Sequence, residues 1–215
     1  MLSSVTRYII VGFFFTATMA LALEKPKYQV LYEDDRIEYR LYEPYIVAET
    51  YVELTRSYNN ASISGFRRLL GYITGDNVFN QDIDMTAPVQ MSTPMLGQEI
   101  AMTTPVQTQT LEEKLQIAFM LPSKFSLDNA PTPTDQRVSL RQIPSRLMAV
   151  IRYSGRWTER NRNRYETRLR ESVEAAGIEI LSNSESAAYN PPFTPPFMRR
   201  NEIMFEVGSY PRRDF

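Results

Sequence analysis

The chain contains no histidine and no cysteine. Without an imidazole it cannot build a Ser-His-Asp or Cys-His catalytic pair, nor the zinc sites that depend on histidine. Without a thiol it has no disulfide, no thiolate metal site and no cysteine nucleophile. Any general acid or base would therefore have to be an aspartate, a glutamate or a tyrosine.

The chain also lacks an excess of charge of either sign. Its 215 residues include 24 Lys and Arg and 25 Asp and Glu, which gives a net charge of -1. Nucleic-acid binders normally show a basic surplus, so we expect no nucleic-acid partner. Hydrophobic residues make up 43% and charged residues 23%, as in an ordinary globular protein of one domain or two small ones.

Residues 1–22 are typical of a secretory signal peptide. Arg7 supplies a small positive charge, an apolar run follows from Tyr8 to Leu21, and Ala20–Ala22 has the small-x-small pattern of a cleavage site. The run is shorter than the ~20 residues that a membrane span needs, which favours cleavage over anchoring. We therefore expect an exported protein, periplasmic or secreted, that touches a membrane only if this segment stays uncleaved.

Two stretches of the remaining chain resemble each other at a constant offset of 101 residues. Arg36–Arg40 matches Arg137–Arg141, and Ile46–Ala48 matches Leu147–Ala149. Both stretches alternate apolar and polar residues, which predicts strands. A helical pattern follows in each half.

The whole pattern predicts strand-strand-helix-strand-strand, twice, in one α+β domain over residues 23–215. The halves would span about 28–121 and 137–207. We expect them to form one pseudo-symmetric unit, because neither half alone would bury much core.

The first predicted helix has one apolar face, formed by Ile63, Phe66, Leu69, Leu70 and Ile73. Asn59 or Asn60 can cap its start, and Gly75 can end it. The second predicted helix has an apolar stripe of Tyr165, Leu169, Val173 and Ala176, with Thr158 as candidate N-cap and Gly177 after its end. Its other face is rich in arginine and glutamate, which fits either a solvated surface with i,i+4 charge pairs or an anion site.

Three segments together carry a family resemblance. They are Gly65–Asn77, the Met-Thr-Ala-Pro-Val motif Met85–Val89, and the proline-rich segment Tyr189–Glu202 with its Arg-Arg-Asn-Glu ending. The chain resembles the SOUL haem-binding protein family from about Tyr28 to Val207. The resemblance implies a distorted antiparallel β-barrel with two flanking helices, built from two repeats. A monomer is expected.

The resemblance also implies that the protein holds haem or another porphyrin in an apolar groove beside the first helix. The matching positions for the macrocycle and its propionates are Phe66, Arg67, Arg68, Leu69, Leu70 and Ile73. Gly71 and Thr194 stand where animal members can carry lysines proposed to contact propionates. The apolar residues among these six can equally be core, and the two arginines can be ordinary surface charges.

Iron ligation is constrained by the missing histidines, because the usual proximal ligand of haem iron is absent. A ligand to the iron would have to be a Tyr, a Met, a carboxylate or water. A site that holds the macrocycle by packing alone, with no bond to the iron, is equally open. Met85 and its counterpart Met102, in a second copy of the motif, are candidates in principle, although packing explains them as well. We assign no metal site.

Two other functions remain open. The two-repeat topology resembles GyrI-like domains, which bind small molecules and include hydrolases, and a general acid or base could be Glu38, Glu49 or Tyr153. No matched pair stands at catalytic spacing, so binding is favoured over catalysis and no catalytic residue is assigned. The third alternative is an interaction module held at a membrane surface by residues 8–23.

Overall fold

The computed structural model describes four stretches of the chain: residues 23–54, 57–93, 114–191 and 193–211. The predicted signal segment and the second copy of the methionine motif, at Met102, lie outside them. No helix within these stretches is long and apolar enough to cross a membrane.

The described stretches form nine strands, two α-helices and one 3₁₀ turn. In chain order these are β1 (Tyr28–Asp34), β2 (Ile37–Tyr42), β3 (Tyr45–Glu53), α1 (Tyr58–Ile73), β4 (Val89–Ser92), β5 (Lys114–Met120), β6 (Val138–Ile143), β7 (Arg146–Tyr153), α2 (Glu159–Ala175), β8 (Glu185–Ala188), the 3₁₀ turn (Pro196–Met198) and β9 (Asn201–Glu206).

All described strands join one antiparallel sheet in the order β1-β2-β7-β9-β8-β4-β5-β3-β6, which curls into a half-barrel. The pairings correspond on the two sides of the β4–β8 contact: β3 pairs with β5 and β6, and β7 pairs with β9 and β2. Helix α1 packs on β3, β5 and β6, and α2 packs on β7 and β9. The predicted α+β class is confirmed, and β1 adds an edge strand to the predicted pattern.

Two core clusters lie beneath the helices. The cluster under α1 includes Leu69, Tyr72, Ile73, Leu115, Ile117 and Phe119. The cluster under α2 includes Tyr39, Ile151, Leu169, Val173, Ile203 and Phe205. Each helix therefore contributes one stripe to a separate core, and the sheet joins the two.

Helix α1 is turned relative to the predicted apolar face. Its buried residues are Ala61, Ser62, Gly65, Leu69, Tyr72 and Ile73. Ile63 and Leu70, placed on the buried face by their spacing, are 44% and 36% exposed. The reason is that small residues of α1 lie against the sheet. At Gly65 the approach is so close that even a Cβ atom would lie 2.4 Å from Ile117 Cδ1. A search for apolar spacing passes over such a contact.

The predicted helix ends are confirmed in three of four cases. Thr158 Oγ1 accepts a hydrogen bond from the Asn161 amide at 3.3 Å, which caps α2. Gly75 and Gly177 have φ angles of 114° and 68° just beyond the two helices. The fourth prediction was wrong, because Ser57, and not Asn59 or Asn60, caps α1.

A buried carboxylate, Glu202 on β9, joins three parts of the fold. Arg40 on β2 donates to it at 3.0 and 3.2 Å, and Arg200 donates at 2.9 and 2.6 Å. The Tyr189 hydroxyl donates at 2.7 Å. Arg40 also donates to Glu38 at 2.7 Å. The side chain of Glu202 therefore holds β2, β9 and both ends of the loop between β8 and β9.

The charge state of Glu202 follows from these partners. Burial alone would raise the pKa of this carboxyl, but Arg40, Arg200 and the Tyr189 hydroxyl together lower the pKa below its ordinary value. Glu202 is therefore ionised at neutral pH, and its charge balances the buried guanidinium of Arg40.

We expect the substitution Gly65→Val to lower the free energy of unfolding by about 1–3 kcal/mol, because the added atoms overpack against Ile117. Gly71→Val in the same helix is the matched control. Its Cβ would meet only the carboxylate end of the exposed Asp76, which can rotate away. Urea unfolding of both variants tests this. Equal destabilisation would contradict the close contact between Gly65 of α1 and Ile117 of the sheet.

The substitution Glu202→Gln should lower the free energy of unfolding at pH 7 by about 3–5 kcal/mol, because it leaves buried guanidinium charge uncompensated. Glu53→Gln, an exposed carboxylate with no ion pair in the described stretches, is the control and should change little.

The same variant gives a pH test. The lowered pKa of Glu202 contributes stability that is present above the ordinary glutamate pKa of about 4.3 and is lost as the pH falls through the lowered value. The stability gap between the wild type and Glu202→Gln should therefore narrow on acidification. A gap that stays constant from neutral to strongly acidic pH would show that Glu202 does not titrate as described.

Candidate ligand-binding site

The six residues predicted to bind the ligand do not share one surface. Leu69 and Ile73 are fully buried in the core under α1. Phe66 is half-buried, and its ring packs edge-to-face on Phe119 with the centroids 5.3 Å apart. These side chains support the helix in the described conformation.

The other three predicted residues lie toward solvent. Arg68 is half-buried, donates to Thr50 Oγ1, and lies 3.9 Å from Asp135. Arg67 is exposed and makes no ion pair or side-chain hydrogen bond with the described stretches. Leu70 is exposed beside it. Arg67 and Leu70 are thus the most accessible of the six, and a binding role for the set stays a prediction.

A cavity of about 470 Å³ lies at another place, between the β1–β2 hairpin, the end of β7, α2 and the 3₁₀ turn. Its volume falls in the range of about 300–1,000 Å³ that is typical of ligand pockets. The side chains that line it are Glu33, Arg36, Glu38, Arg152, Tyr153, Ser154, Tyr165, Phe197, Met198 and Arg199.

The apolar part of the cavity comes from two elements. Tyr153, at the end of β7, stacks on Tyr165 of α2 with the ring centroids 4.3 Å apart and the planes at 14°. Phe197 and Met198 of the 3₁₀ turn also line it, although they are 77% and 64% exposed. The cavity therefore combines a stacked aromatic pair with apolar side chains that little else covers.

The loop that carries Phe197 is fixed to the end of β7. The Gly155 amide donates to the Pro196 carbonyl at 2.9 Å, and the Asn201 side chain donates to the Gly155 carbonyl at 3.2 Å. Gly155 has a φ angle of 120°, a backbone conformation that side-chain-bearing residues rarely adopt. The glycine therefore allows the contact that positions the wall of the cavity.

The Tyr153 hydroxyl is buried and has no hydrogen-bond partner among the described residues. Burial first, and then the neighbouring Tyr58 and Tyr165 against the opposing charge of Arg162, raise the pKa of Tyr153 to about 12. Tyr153 is therefore a neutral phenol at physiological pH and not a phenolate.

The cavity carries more positive than negative side chains. Arg36 and Arg152 are exposed and make no ion pair or side-chain hydrogen bond with the described part of the chain. Of the acids, Glu38 is held by Arg40, whereas Glu33 is exposed. Two arginines are thus available to an anionic group through charge-assisted hydrogen bonds.

The glutamates considered as catalytic groups are both held in ion pairs. Glu49 is almost fully buried and accepts hydrogen bonds from Arg141 at 2.7 to 3.0 Å and from Gln116 at 2.7 Å. Glu38 accepts from Arg40. Glu49 lies outside this cavity, whereas Glu38 lines it while paired with Arg40.

Sequence reasoning named two of the cavity residues, Glu38 and Tyr153, as possible acid or base groups, but it did not bring the lining residues together as a site. Arg36 and Arg152 come from a hairpin and a strand end that lie far apart in the chain, so no local pattern connects them. The signal that was present is the proline-rich segment, whose apolar Phe197 and Met198 sit between prolines and arginines. In the sequence analysis this segment served only as part of the family resemblance.

Comparison with known proteins found one matching family profile and similar curated sequences. The sequence profile of the family described as SOUL heme-binding protein matches residues 23–206. The curated Heme-binding protein 1 of Xenopus laevis is 27% identical over 153 residues, which cover 70% of this chain and 73% of that protein.

Solved structures share the fold at lower identity. The C-terminal domain of EcmrR superposes with a TM-score of 0.54 at 13% identity, over 85% of this chain and 99% of that one. A hydrolase from Listeria innocua gives a TM-score of 0.51 at 10% identity, over 82% and 94% of the two chains. These likenesses concern the fold alone. The profile match spans most of the sequence and includes every strand and helix described above, and the chain therefore belongs to the SOUL heme-binding protein family.

Proposed function

We propose that the protein binds and carries haem or another tetrapyrrole, held by packing and by arginines and without histidine ligation. The choice of haem or another tetrapyrrole as the ligand rests on the family and on the likeness to a heme-binding protein of Xenopus laevis. The compartment, outside the cytoplasm, rests on the signal-like residues 1–22.

The observation that carries the proposal is that one cavity, whose lining is otherwise mostly polar, joins an apolar patch to two available arginines. A tetrapyrrole such as haem is flat and apolar, with two propionates along one edge. Tyr165, Phe197 and Met198 suit the macrocycle, and burial of its faces would supply most of the affinity. Arg36 and Arg152 suit the propionates and would fix its orientation.

Iron would contribute little to such a site. The chain has no histidine, and the raised pKa of Tyr153 disfavours the phenolate that would be needed to bind iron. The thioether of Met198 is the sulfur donor in the cavity, and it is a weak one. The proposal therefore attributes affinity to the macrocycle and the carboxylates and not to the metal.

The groove beside α1 is the second candidate position. Ile63 and Leu70 form an exposed apolar stripe on this helix, and Arg67 next to Leu70 is an available cation. The stripe offers one such cation where the cavity offers two, and we therefore place the macrocycle in the cavity.

Another cavity, of about 530 Å³, lies between residues 24–27, the β2–β3 turn and residues 120–128. Its walls are divided about evenly between polar and apolar side chains, with Phe125 and Leu127 among the apolar ones. Three carboxylates and two lysines line it, so its charge opposes a dianionic ligand. It is the less suitable place for propionates.

The test is a haem titration of the chain from Leu23, which contains the whole described fold, followed by the Soret band and the emission of Trp157. The double substitution Arg36→Gln with Arg152→Gln should weaken binding by about tenfold or more, because two charge-assisted hydrogen bonds are lost. Arg67→Gln is the matched control and should bind as the wild type does.

The reverse pattern, with Arg67→Gln weakened and the double variant unchanged, would move the site to α1. Absence of saturable binding by the wild type would overturn the proposed function itself. Thermal unfolding of each variant checks that the fold is kept.

A further inference from the structure

The loop between β8 and β9 presents three large apolar side chains to solvent. Phe193 is 86% exposed, Phe197 77% and Met198 64%. The two phenylalanines are the most exposed large apolar residues in the described stretches. Three such side chains within six positions are more than the scattered apolar residues of an ordinary surface.

The loop holds these side chains outward. Its backbone closes on itself, with the Thr194 amide donating to the Pro191 carbonyl at 3.0 Å and the Met198 amide donating to the Pro195 carbonyl at 2.9 Å. Arg199 Nε donates across the loop to the Thr194 carbonyl at 2.7 Å. A loop fixed in this way would lose little conformational entropy when a partner buries its three exposed apolar side chains.

Positive charge lies beside the part of the loop that carries Phe197 and Met198. Arg36, Arg152 and Arg199 line the adjoining cavity, and Arg156 follows the glycine that holds the loop to β7. The acids that line the cavity are Glu33 and Glu38, and Glu38 is already paired with Arg40. Phe197 and Met198 therefore stand beside an excess of positive charge, in the same loop as Phe193.

We propose that this loop docks the protein on the surface of an anionic lipid bilayer. Phe193, Phe197 and Met198 insert among the headgroups, and the surrounding arginines bind the lipid phosphates. A bilayer suits separate protruding tips, whereas a protein partner would need a broad complementary surface.

One consequence rests on the proposed function. Phe197 and Met198 line the candidate cavity as well as the loop, so docking would turn the opening of the cavity toward the membrane. An apolar macrocycle dissolved in the bilayer would then pass into the protein without crossing water. The docking surface would thus be a route for loading and release.

The experiment is flotation of the chain from Leu23 with vesicles of phosphatidylcholine and phosphatidylglycerol. The wild type should bind these vesicles, bind less in high salt, and bind pure phosphatidylcholine vesicles more weakly. Phe193→Ser should weaken binding by about tenfold, because one phenylalanine no longer inserts. Phe79→Ser is the matched control. Phe79 is 72% exposed, but it follows the C-terminal end of α1 and does not belong to the loop between β8 and β9.

Three results would overturn the docking proposal. They are absence of vesicle binding by the wild type, unchanged binding by Phe193→Ser, and an equal loss in Phe79→Ser. Phe193 does not line the cavity, so a lipid-free haem titration of Phe193→Ser should match the wild type. Vesicle binding without haem binding would contradict the proposed function and leave the docking surface standing.

Discussion

The buried charge of Glu202 is the interaction on which the candidate site depends. Arg40 connects it to the strand that leads from the β1–β2 hairpin, where Glu33 and Arg36 line the cavity. Tyr189 and Arg200 connect it to the two ends of the loop that carries Phe197 and Met198. One carboxylate thus connects two of the elements that line the cavity. The ionised form is needed, because only a carboxylate can accept from both guanidinium groups while Tyr189 donates to it.

Much of the fold followed from local pattern. Alternation of apolar and polar residues predicted strands in the two stretches that match at the 101-residue offset. The match relates β2 to β6 and β3 to β7 in sequence, and these strands occupy corresponding places in the sheet. Both helices were predicted, with Thr158 as the cap of α2. The face of α1 that contacts the sheet was not predicted correctly. The contact at Gly65 buries little apolar side chain, and it therefore leaves no periodic signal in the sequence.

The candidate site was far less predictable. The available arginines of the cavity stand on a hairpin and on a strand end, 116 positions apart, and only the β2–β7 pairing brings these elements together. The helix positions implied by the family divide between the core and the solvent, since Leu69 is buried while Arg67 is exposed. Partners are also invisible in a sequence: Arg68 is engaged by Thr50, whereas the neighbouring Arg67 has no such contact in the described stretches. Site chemistry depends on these tertiary contacts, and a single sequence does not show them.

The measurement that tests the account most directly is the ratio of the dissociation constants for haem and for metal-free protoporphyrin, titrated into the same preparation of the chain from Leu23. A site that relies on packing and on propionate-binding arginines predicts saturable binding of both, with constants within about tenfold of each other, since iron ligation would add more than the ~1.4 kcal/mol that a tenfold ratio represents. Tight binding of haem with little or no binding of the metal-free macrocycle would contradict the account and would require an iron ligand that the cavity, as described, does not provide.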